Sequence, residues 1–550
     1  MLPKTDNAGR RVLMIGLDAF ELSLAEKWMN EGDLPNIARV RARSARVLLD
    51  HGKDKFSGLG WEHVSAGLKP EDGGRWSAVT FDPQTYGVRQ DMTSMMPFMA
   101  NLSARTVVFD PPYCDLERAP RVRGVTNWGA HDPGVAVAAR PSGLLEEMRG
   151  RFGAYPATEW IYGFNWPSVE KTRRASEALE RALDLRTRAA RWLLSERLPD
   201  WDLAVVVIAE VHSATEPQWH GVDPNHSLHG IPSSQPAAEG LRRLYRATDR
   251  LVGELCDAFP DATVVLFSMH GMGPNDSDVA TMTLLPELLY RHAFGRPYMR
   301  PLAWEEHRPD GTPLIPADAD WDQLMQQLIP APVSLQQGWL SRLFRNVITS
   351  APPDGASTFA NAPGSTSIDW MPASRYRPFW HRMEAFALPA FYDGRVRINL
   401  KGRESRGKVA RSDYRQACER IERLLRECRN LQNGEPVADE ICWGEKDPMS
   451  LSASEADLYI FWRPTPVGLT SPSVGTIGPI PYRRTGGHTG AHGFMYVSGG
   501  SIVPGDFGSA SSFDVVPTVL ELVGETAPQK VSGRSVAPRM RAAAIAARAF

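Results

Sequence analysis

The stretch Arg11-Val-Leu-Met-Ile-Gly-Leu-Asp18-Ala-Phe20 places a short apolar run directly before a carboxylate. The run at 12–17 is too short for a membrane span and is typical of a fully buried parallel strand. Residues 21–30 follow with the apolar spacing of a helix. Open α/β sheets bind ligands at the carboxyl ends of their strands, so Asp18 lies where a metal or substrate would bind. A simple helix cap is the alternative role for this carboxylate.

Two later stretches repeat the pattern of a buried strand followed by ligand-type side chains. The apolar run at 203–209 precedes His212 and Glu216, whose i, i+4 spacing puts an imidazole and a carboxylate on one helical face. The run at 263–268 leads into His270. We therefore predict one α/β domain with a mostly parallel sheet, in which these side chains converge with Asp18.

Composition narrows the class of protein. The 550 residues are more than one ordinary core needs, which predicts a large domain with insertions. A net charge of −2 gives no reason to expect nucleic acid or an anionic membrane as partner. We find no window of 18 apolar residues and no signal-peptide core, and the five cysteines form no metal-type CxxC pair. These features predict a cytoplasmic protein with reduced thiols, and they leave a homo-oligomer open.

A serine flanked by glycines is the candidate nucleophile. Ser57 precedes Gly58 and Gly60, which allow a tight backbone, and residues from Trp61 onward can begin a helix whose free N–H groups face an anion. A serine at such a point is suited to nucleophilic catalysis. A local serine turn or helix cap is the alternative interpretation.

Together these stretches resemble the alkaline phosphatase superfamily, and specifically its type I phosphodiesterase/nucleotide pyrophosphatase branch. That branch follows its first metal-binding Asp with Gly-x-Leu-Pro-Asn, as residues 32–36 do here. Its nucleophile lies ten residues before the Gly of a Thr-Gly-x-x-Pro-x-x-His-Gly turn, and counting back from Gly67 gives Ser57. Ala66 and Gly73 depart from that turn. The resemblance implies an alkaline-phosphatase-like three-layer sandwich with a mostly parallel central sheet and inserted cap segments.

The resemblance also implies a first metal site at His212, Glu216 and His488. The family has Asp-x-x-x-His at the first two positions, and this chain has the two residue types transposed. His488 matches a Gly-x-His motif of the family. Two imidazoles and one carboxylate suit a catalytic zinc ion with an open position.

The second implied metal site has lost a ligand. It would contain Asp18, His270 and the oxygen of Ser57, but Met269 stands where the family has an Asp. A thioether is a soft ligand and a poor partner for a hard dication. We therefore expect one firmly bound divalent metal, zinc being the preferred ion, and a second ion that is weak or absent. Glu62 or His63 could serve as a base beside the serine.

A later motif offers candidate substrate-binding residues. The string Arg-x-Asn-x-x-Gly-Arg-Glu at 397–404 also recurs in this branch. Arg397, Asn399 and Arg403 could orient an anionic substrate, since arginine binds phosphate or sulfate oxygens in pairs. A structural ion pair with Glu404 or another carboxylate is the alternative for the two arginines.

The predicted organisation is a catalytic core with insertions. We assign 1–300 and 385–535 to the core, 75–165 to a loop-rich insertion near the cleft, 300–385 to an inserted cap or interface segment, and 536–550 to a helical tail. The expected function is a metal-dependent hydrolase or transferase that acts on a small phosphoester, phosphodiester or sulfate ester through Ser57. The alternative is a divergent member that has one metal or none and catalyses another group transfer, or only binds an anion.

Overall fold

The computed structural model describes residues 11–541, except 94, 132–133, 164–165, 302, 331–364, 367, 445, 465–466 and 528–529. The chain divides into two units. The first comprises Met1–Trp76, Met92–Asn275 and Arg484–Phe550, and the second comprises Ser77–Asp91 and Asp276–Arg483. Residues 385–483, which the sequence analysis grouped with the core, lie in the second unit. Much of the predicted cap segment and most of the predicted tail lie outside the described residues.

The described part of the first unit is built on a nine-stranded sheet. Its strands are β1 (Val12–Leu17), β2 (Ala45–Asp50), β3 (Thr106–Phe109), β4 (Arg123–Thr126), β5 (Ala138–Arg140), β6 (Leu203–Ile208), β7 (Thr263–Ser268), β8 (Gly493–Ser498) and β9 (Gly505–Ser511). Their order across the sheet is β9-β2-β8-β7-β1-β6-β3-β4-β5. Five of the eight neighbouring pairs are parallel, which confirms the predicted α/β fold with a mostly parallel sheet.

Helices cover both faces of this sheet. They are α1 (Leu22–Asn30), α2 (Pro35–Ala42), α3 (Gly60–Ala66), α4 (Pro70–Gly73), α5 (Leu144–Phe152), α6 (Val169–Trp192), α7 (Glu210–Val222), α8 (Ser234–Ala258) and α9 (Val515–Val523). Along β1, Leu13 and Ile15 pack in one apolar cluster with α1, α2, α6, α7 and α8. Val12 and Met14 point to the opposite face and pack with α3 and α9. The result is the predicted three-layer sandwich.

The register of the central strands brings their ends to one level. In β1, Val12 pairs with Leu203 of β6 on one side and with Thr263 of β7 on the other, both in parallel. The carboxyl ends of the three strands therefore meet at one edge of the sheet. The predicted strands at 12–17 and 263–268 are confirmed, and the one predicted at 203–209 ends one residue earlier.

The second unit has its own apolar core and its own sheets. Its largest sheet is antiparallel and has the strand order Ala385–Leu388, Gly394–Ile398, Leu458–Trp462 and Ala438–Trp443. The other described strands are Val79–Asp82, Gly87–Asp91, Glu306–His307, Pro313–Leu314, Ser365–Thr366, Arg429–Asn430, Leu469–Ser471 and Gly475–Ile477. The helices are Leu285–Phe294, Trp321–Leu328, Arg377–Trp380 and Tyr414–Glu427. Across both units, none of the described helices is both long and apolar enough to span a bilayer.

Candidate metal centre

The edge where β1, β6 and β7 end carries most of the predicted ligands. Asp18 follows β1 directly, and His270 lies two residues after the end of β7. His212 and Glu216 lie on α7, which begins two residues after β6. His488 follows the short strand Gly486–Gly487, which pairs with Gly273–Pro274 just beyond His270. The ends of the parallel strands and one short antiparallel pairing thus bring together residues that are far apart in the chain.

Three of the predicted ligands present their donor atoms to one another. Nε2 of His212 lies 3.1 Å from Nε2 of His488. Nε2 of His212 also lies 3.4 Å from Oε1 of Glu216. All three side chains are buried. The predicted first site therefore has its donor atoms within one small volume.

A fourth side chain, His131, belongs to the same cluster and was missed by the sequence analysis. Its ring stacks on that of His212 with centroids 3.7 Å apart, and its Nε2 lies 3.6 Å from Oε2 of Glu216. His131, His212 and Glu216 each offer a ligand atom within 4.8 Å of the others. The only signal in the sequence was a histidine shortly after β4, because no spacing motif links it to α7.

The three rings are oriented in the same way, each by a contact at Nδ1. Nδ1 of His212 lies 2.9 Å from Oδ2 of Asp18, and Nδ1 of His488 lies 3.2 Å from Nε2 of His270. Nδ1 of His131 lies 3.0 Å from the hydroxyl of Ser213. Metal-binding histidines commonly donate the other ring N–H to such a partner, which fixes the tautomer and leaves the Nε2 lone pair for the ion.

The electrostatics favour neutral rings at His270 and His488, and the carboxylate of Glu216 has a cationic neighbour. Burial, followed by the charges of His270 and His212, lowers the pKa of His488 well below its usual value. Burial likewise lowers the pKa of His270 to about 4. Nη1 of Arg484 contacts Oε1 of Glu216, so this buried carboxylate lies beside a guanidinium group. Neutral rings carry the lone pairs that a metal needs.

The donor set fits a divalent ion. A tetrahedral zinc site with bonds of about 2.0–2.1 Å has ligand atoms about 3.3 Å apart. The separations of 3.1 Å between His212 and His488 and of 3.4 Å between His212 and Glu216 lie close to that value. Nitrogen and carboxylate oxygen are also the donors that zinc and related dications take. The residues therefore form a possible histidine and glutamate metal site.

The predicted second site has a different geometry. Asp18 contacts the ring of His212 and His270 contacts the ring of His488, so both predicted ligands support the first site. A Cβ built on Gly60 would lie 3.4 Å from Cε of Met269, which puts the thioether close to the loop of the serine. Asp18 and His270 were predicted at a second metal site together with the oxygen of Ser57, and in the structure their contacts are with two histidines.

Ser57 ends a short 3₁₀ helix, Gly52–Ser57, whose C-cap Gly58 has a left-handed φ of 73°. Its hydroxyl donates to the carbonyl of Asp54 at 2.7 Å and accepts from the N–H of Leu59 at 3.1 Å. A Cβ on Gly60 would lie 3.7 Å from Nε2 of His270, so the turn borders that ring. These contacts are those of the serine turn considered above, and the nucleophilic role remains a prediction.

The two candidate bases beside the serine have other partners. Oε2 of Glu62 lies 2.7 Å from Nε of Arg75, and burial raises the pKa of this carboxyl. Nδ1 of His63 lies 3.3 Å from Nε2 of His51, and burial lowers the pKa of His63 to about 3. Glu62 is thus committed to an ion pair and His63 to a second imidazole.

The candidate substrate residues lie in the second unit within a buried ion network. Nε of Arg397 lies 2.9 Å from Oε1 of Glu404, and Arg403 pairs with both Glu404 and Asp457 at 2.7–2.8 Å. Asn399 is fully buried, and its amide nitrogen donates to two backbone carbonyls. The contacts are those of the structural alternative, because both guanidinium charges already have carboxylate partners.

Comparison with known proteins places the chain in a family. No curated protein gives a significant match. Phosphonoacetate hydrolase from Sinorhizobium meliloti 1021 is a similar solved structure: in complex with phosphonoformate it is 14% identical with a TM-score of 0.46, and in complex with phosphonoacetate it is 13% identical with a TM-score of 0.45. Each comparison covers 94% of this chain and 95% of the other.

The family itself is shown by sequence. A profile described as type I phosphodiesterase / nucleotide pyrophosphatase matches residues 12–327, which is more than half of the chain. The matched range includes Asp18, Ser57, His212, Glu216 and His270. The resemblance inferred from the motifs is confirmed, and the protein belongs to the type I phosphodiesterase/nucleotide pyrophosphatase family of the alkaline phosphatase superfamily.

Proposed function

We propose that this protein is a metal-dependent hydrolase of small phosphoesters, with phosphodiesters as the first candidates. One observation carries the proposal. Buried imidazole nitrogens and a carboxylate oxygen face one another at the strand ends, and the rings of His212 and His488 are each held by a contact at Nδ1. Such preorganised donors suit a metal-assisted displacement at phosphorus. Sulfate esters present similar oxygens and are the second substrate class to test.

We assign the metal to His212, Glu216 and His488, and we propose zinc as the ion. When bound there, a divalent ion would act as a Lewis acid that polarises an oxygen of the substrate. Asp18 and His270 serve as positioning residues, because they hold His212 and His488 by their Nδ1 atoms.

We assign the attack on phosphorus to Ser57. Its Oγ would form a bond to phosphorus while the bond from phosphorus to the leaving oxygen breaks, and the leaving group takes the electron pair. The serine proton, which is donated to the Asp54 carbonyl in the free protein, would pass through water to the leaving oxygen, so that the first product departs as an alcohol. Water would then cleave the phosphoserine ester, which releases the second product and restores the hydroxyl.

A chromogenic panel tests this function. Bis-p-nitrophenyl phosphate, p-nitrophenyl phosphate and p-nitrophenyl sulfate distinguish a diesterase, a monoesterase and a sulfatase. We expect hydrolysis of a phosphate ester that stops after chelation and returns with added Zn²⁺. Hydrolysis that survives complete removal of metal would contradict the proposal, and a panel with sulfate turnover alone would replace the substrate class.

A further inference from the structure

We propose that His131 is a fourth protein ligand of the metal centre, where a substrate oxygen would enter as a fifth ligand, and that a buried ion network around Arg186 holds His131 in place. The inference rests on the proposed metal dependence. It adds a ligand and a positioning residue for which the chain shows no sequence motif.

The first step is the orientation of the imidazole. His131 is 3% exposed, and its Nδ1 contacts Ser213 while its Nε2 faces Glu216. His212 and His488 have the same arrangement, with Nδ1 held from behind and Nε2 turned toward the cluster. A histidine buried only for packing has no need of this polarity, whereas a ligand does.

The second step is the ion network of Arg186, which holds the loop that leads to His131. Arg186 on α6 is fully buried between two buried carboxylates. Its Nε lies 2.9 Å from Oε1 of Glu210, and its Nη1 lies 2.9 Å from Oδ2 of Asp110. Glu210 is the first residue of α7, two positions before His212. One guanidinium thus joins the strand end at Asp110 to the start of the ligand-bearing helix.

The same network holds the backbone just before His131. The carboxylate of Asp110 accepts the N–H groups of Trp128 and Gly129 at 2.6 and 2.8 Å. Nη2 of Arg186 donates to the carbonyl of Gly129 at 3.3 Å. The N–H and the carbonyl of Gly129 are therefore both bound, two residues before His131. The loop and α7 have a common anchor.

The loop has an unfavourable local conformation that needs such an anchor. Asp110 and Asn127 are non-glycine residues with left-handed φ values of 61° and 55°. A Cβ on Gly129 would lie 2.4 Å from the ring of Tyr155, so this position has room for glycine alone. Backbone strain of this kind persists where the surroundings over-determine it, and it is concentrated at functional sites.

The energetics also argue for a positioning role. A buried ion network is a weak source of stability, because apolar side chains of similar volume often serve as well or better. Its advantage is specific geometry, since each charge accepts or donates in fixed directions. In this protein the ion network contacts the two segments that carry His131 and His212.

The test measures metal binding by the full chain. Zn²⁺ affinity is determined by competition with a chromogenic chelator, and the visible spectrum of the Co²⁺-loaded protein reports the ligand set. We expect His131→Ala to weaken Zn²⁺ binding at least about tenfold and to change the Co²⁺ spectrum. The exposed His292 gives the matched control, His292→Ala, which leaves both readouts unchanged.

Arg186→Met is expected to weaken Zn²⁺ binding by about 10–100-fold, as loss of a supporting residue does. Its control is Arg188→Met, which removes an exposed arginine from the same helix. In a His131→Ala background, Arg186→Met should cause a smaller further loss than it does in the wild type, because the part of its effect that acts through His131 is already gone. If Arg186→Met does not fold, Gly129→Ala displaces the same loop against Tyr155 and replaces it in the cycle.

The outcomes separate the two claims. Wild-type Zn²⁺ affinity in His131→Ala would overturn the fourth ligand and leave the proposed hydrolase standing. An equal loss from Arg186→Met with and without His131 would overturn the positioning route. A wild-type chain that binds neither Zn²⁺ nor Co²⁺ would overturn the proposed metal dependence itself, and the inference with it.

Discussion

The two halves of the site use similar residue types in different ways. The metal half consists of His131, His212, Glu216 and His488, and the serine half consists of Asp18, Ser57, Met269 and His270. In the metal half, donor atoms face one another at 3.1–3.6 Å. In the serine half, Asp18 and His270 contact rings of the metal half, and the hydroxyl of Ser57 bonds to the backbone of its own turn.

We attribute this difference between the two halves chiefly to Met269. With Met269 in place of a carboxylate, the serine half lacks a hard ligand and the negative charge that would offset a second dication. Asp18 and His270 are then available to orient His212 and His488. On the proposed assignment the metal half would hold one ion and the serine half would support its ligands, and the following predictions test that asymmetry.

The largest expected effect is on turnover in the serine half. We expect Ser57→Ala to reduce kcat by about a thousandfold or more, because the nucleophile is removed, while bound metal is unchanged. The control is Ser65→Ala, which removes a buried hydroxyl on the adjacent helix that donates to the Tyr113 carbonyl. Steady-state kinetics on the best substrate of the panel provide the measurement. Turnover near that of the wild type would show that Ser57 only shapes its turn, and would favour the alternative of another group transfer.

The next largest effect is a change in the serine half that weakens metal binding in the metal half. We expect Asp18→Asn to weaken Zn²⁺ binding at the metal half by about 10–100-fold, because the amide supports the His212 ring less well than a carboxylate. Chelator competition measures this affinity. If the variant instead keeps its tight ion and loses only a second, weaker one, Asp18 is a direct ligand of a second metal and the comparison is wrong.

A third change rebuilds the missing ligand. We expect Met269→Asp to add a second, weaker metal equivalent, because it returns a carboxylate beside His270. Isothermal titration of the metal-free protein with Zn²⁺ gives the number of ions. Met269→Leu, which is apolar and similar in size, is the matched control and should keep one equivalent. An unchanged stoichiometry in the aspartate variant would mean that more than this residue separates the two halves.

The smallest effect concerns buried histidines outside the metal half. Burial lowers the pKa of His220 from 6.5 to about 3. Between these values the unfolded chain binds a proton that the folded chain does not, so stability falls as the pH falls from 6.5 toward 3. The slope is about 1.4 kcal/mol per pH unit for one such histidine. We expect His220→Gln to reduce the slope, measured by urea unfolding at several pH values in chelator; an unchanged slope would show that this histidine does not contribute.

Much of the fold was predictable from local pattern. The three apolar runs became β1, β6 and β7 because a short, continuously apolar segment is stable only when buried on both faces. Likewise, residues 21–30, whose apolar spacing predicted a helix, form α1 (Leu22–Asn30). Where the signal was local in the chain, the prediction was confirmed.

The ligand cluster was predictable only in part. His212, Glu216 and His488 were assigned from motifs, and their donor atoms do converge. His131 was missed because it depends on a loop conformation and on an ion network whose members are far apart in sequence. Long-range geometry of this kind leaves no periodic trace in the chain.

The motif at 397–404 was visible in the sequence, but the sequence did not decide between two roles for its arginines. Arg397 and Arg403 form a family-like string, yet their contacts are ion pairs with Glu404 and Asp457. The sequence offered both interpretations, because an arginine that binds a substrate anion and one that pairs with a carboxylate have the same local pattern. Burial and partners distinguish them, and neither can be read from the string alone.

The central claim, one tightly held ion in the metal half, is tested most directly by elemental analysis after extensive dialysis. We predict close to one divalent ion per chain in the wild type, zinc being the preferred ion, and almost none in His488→Ala, which removes a ring whose Nε2 lies 3.1 Å from that of His212. Two tightly held ions per wild-type chain, or one ion that survives the loss of His488, would contradict the account.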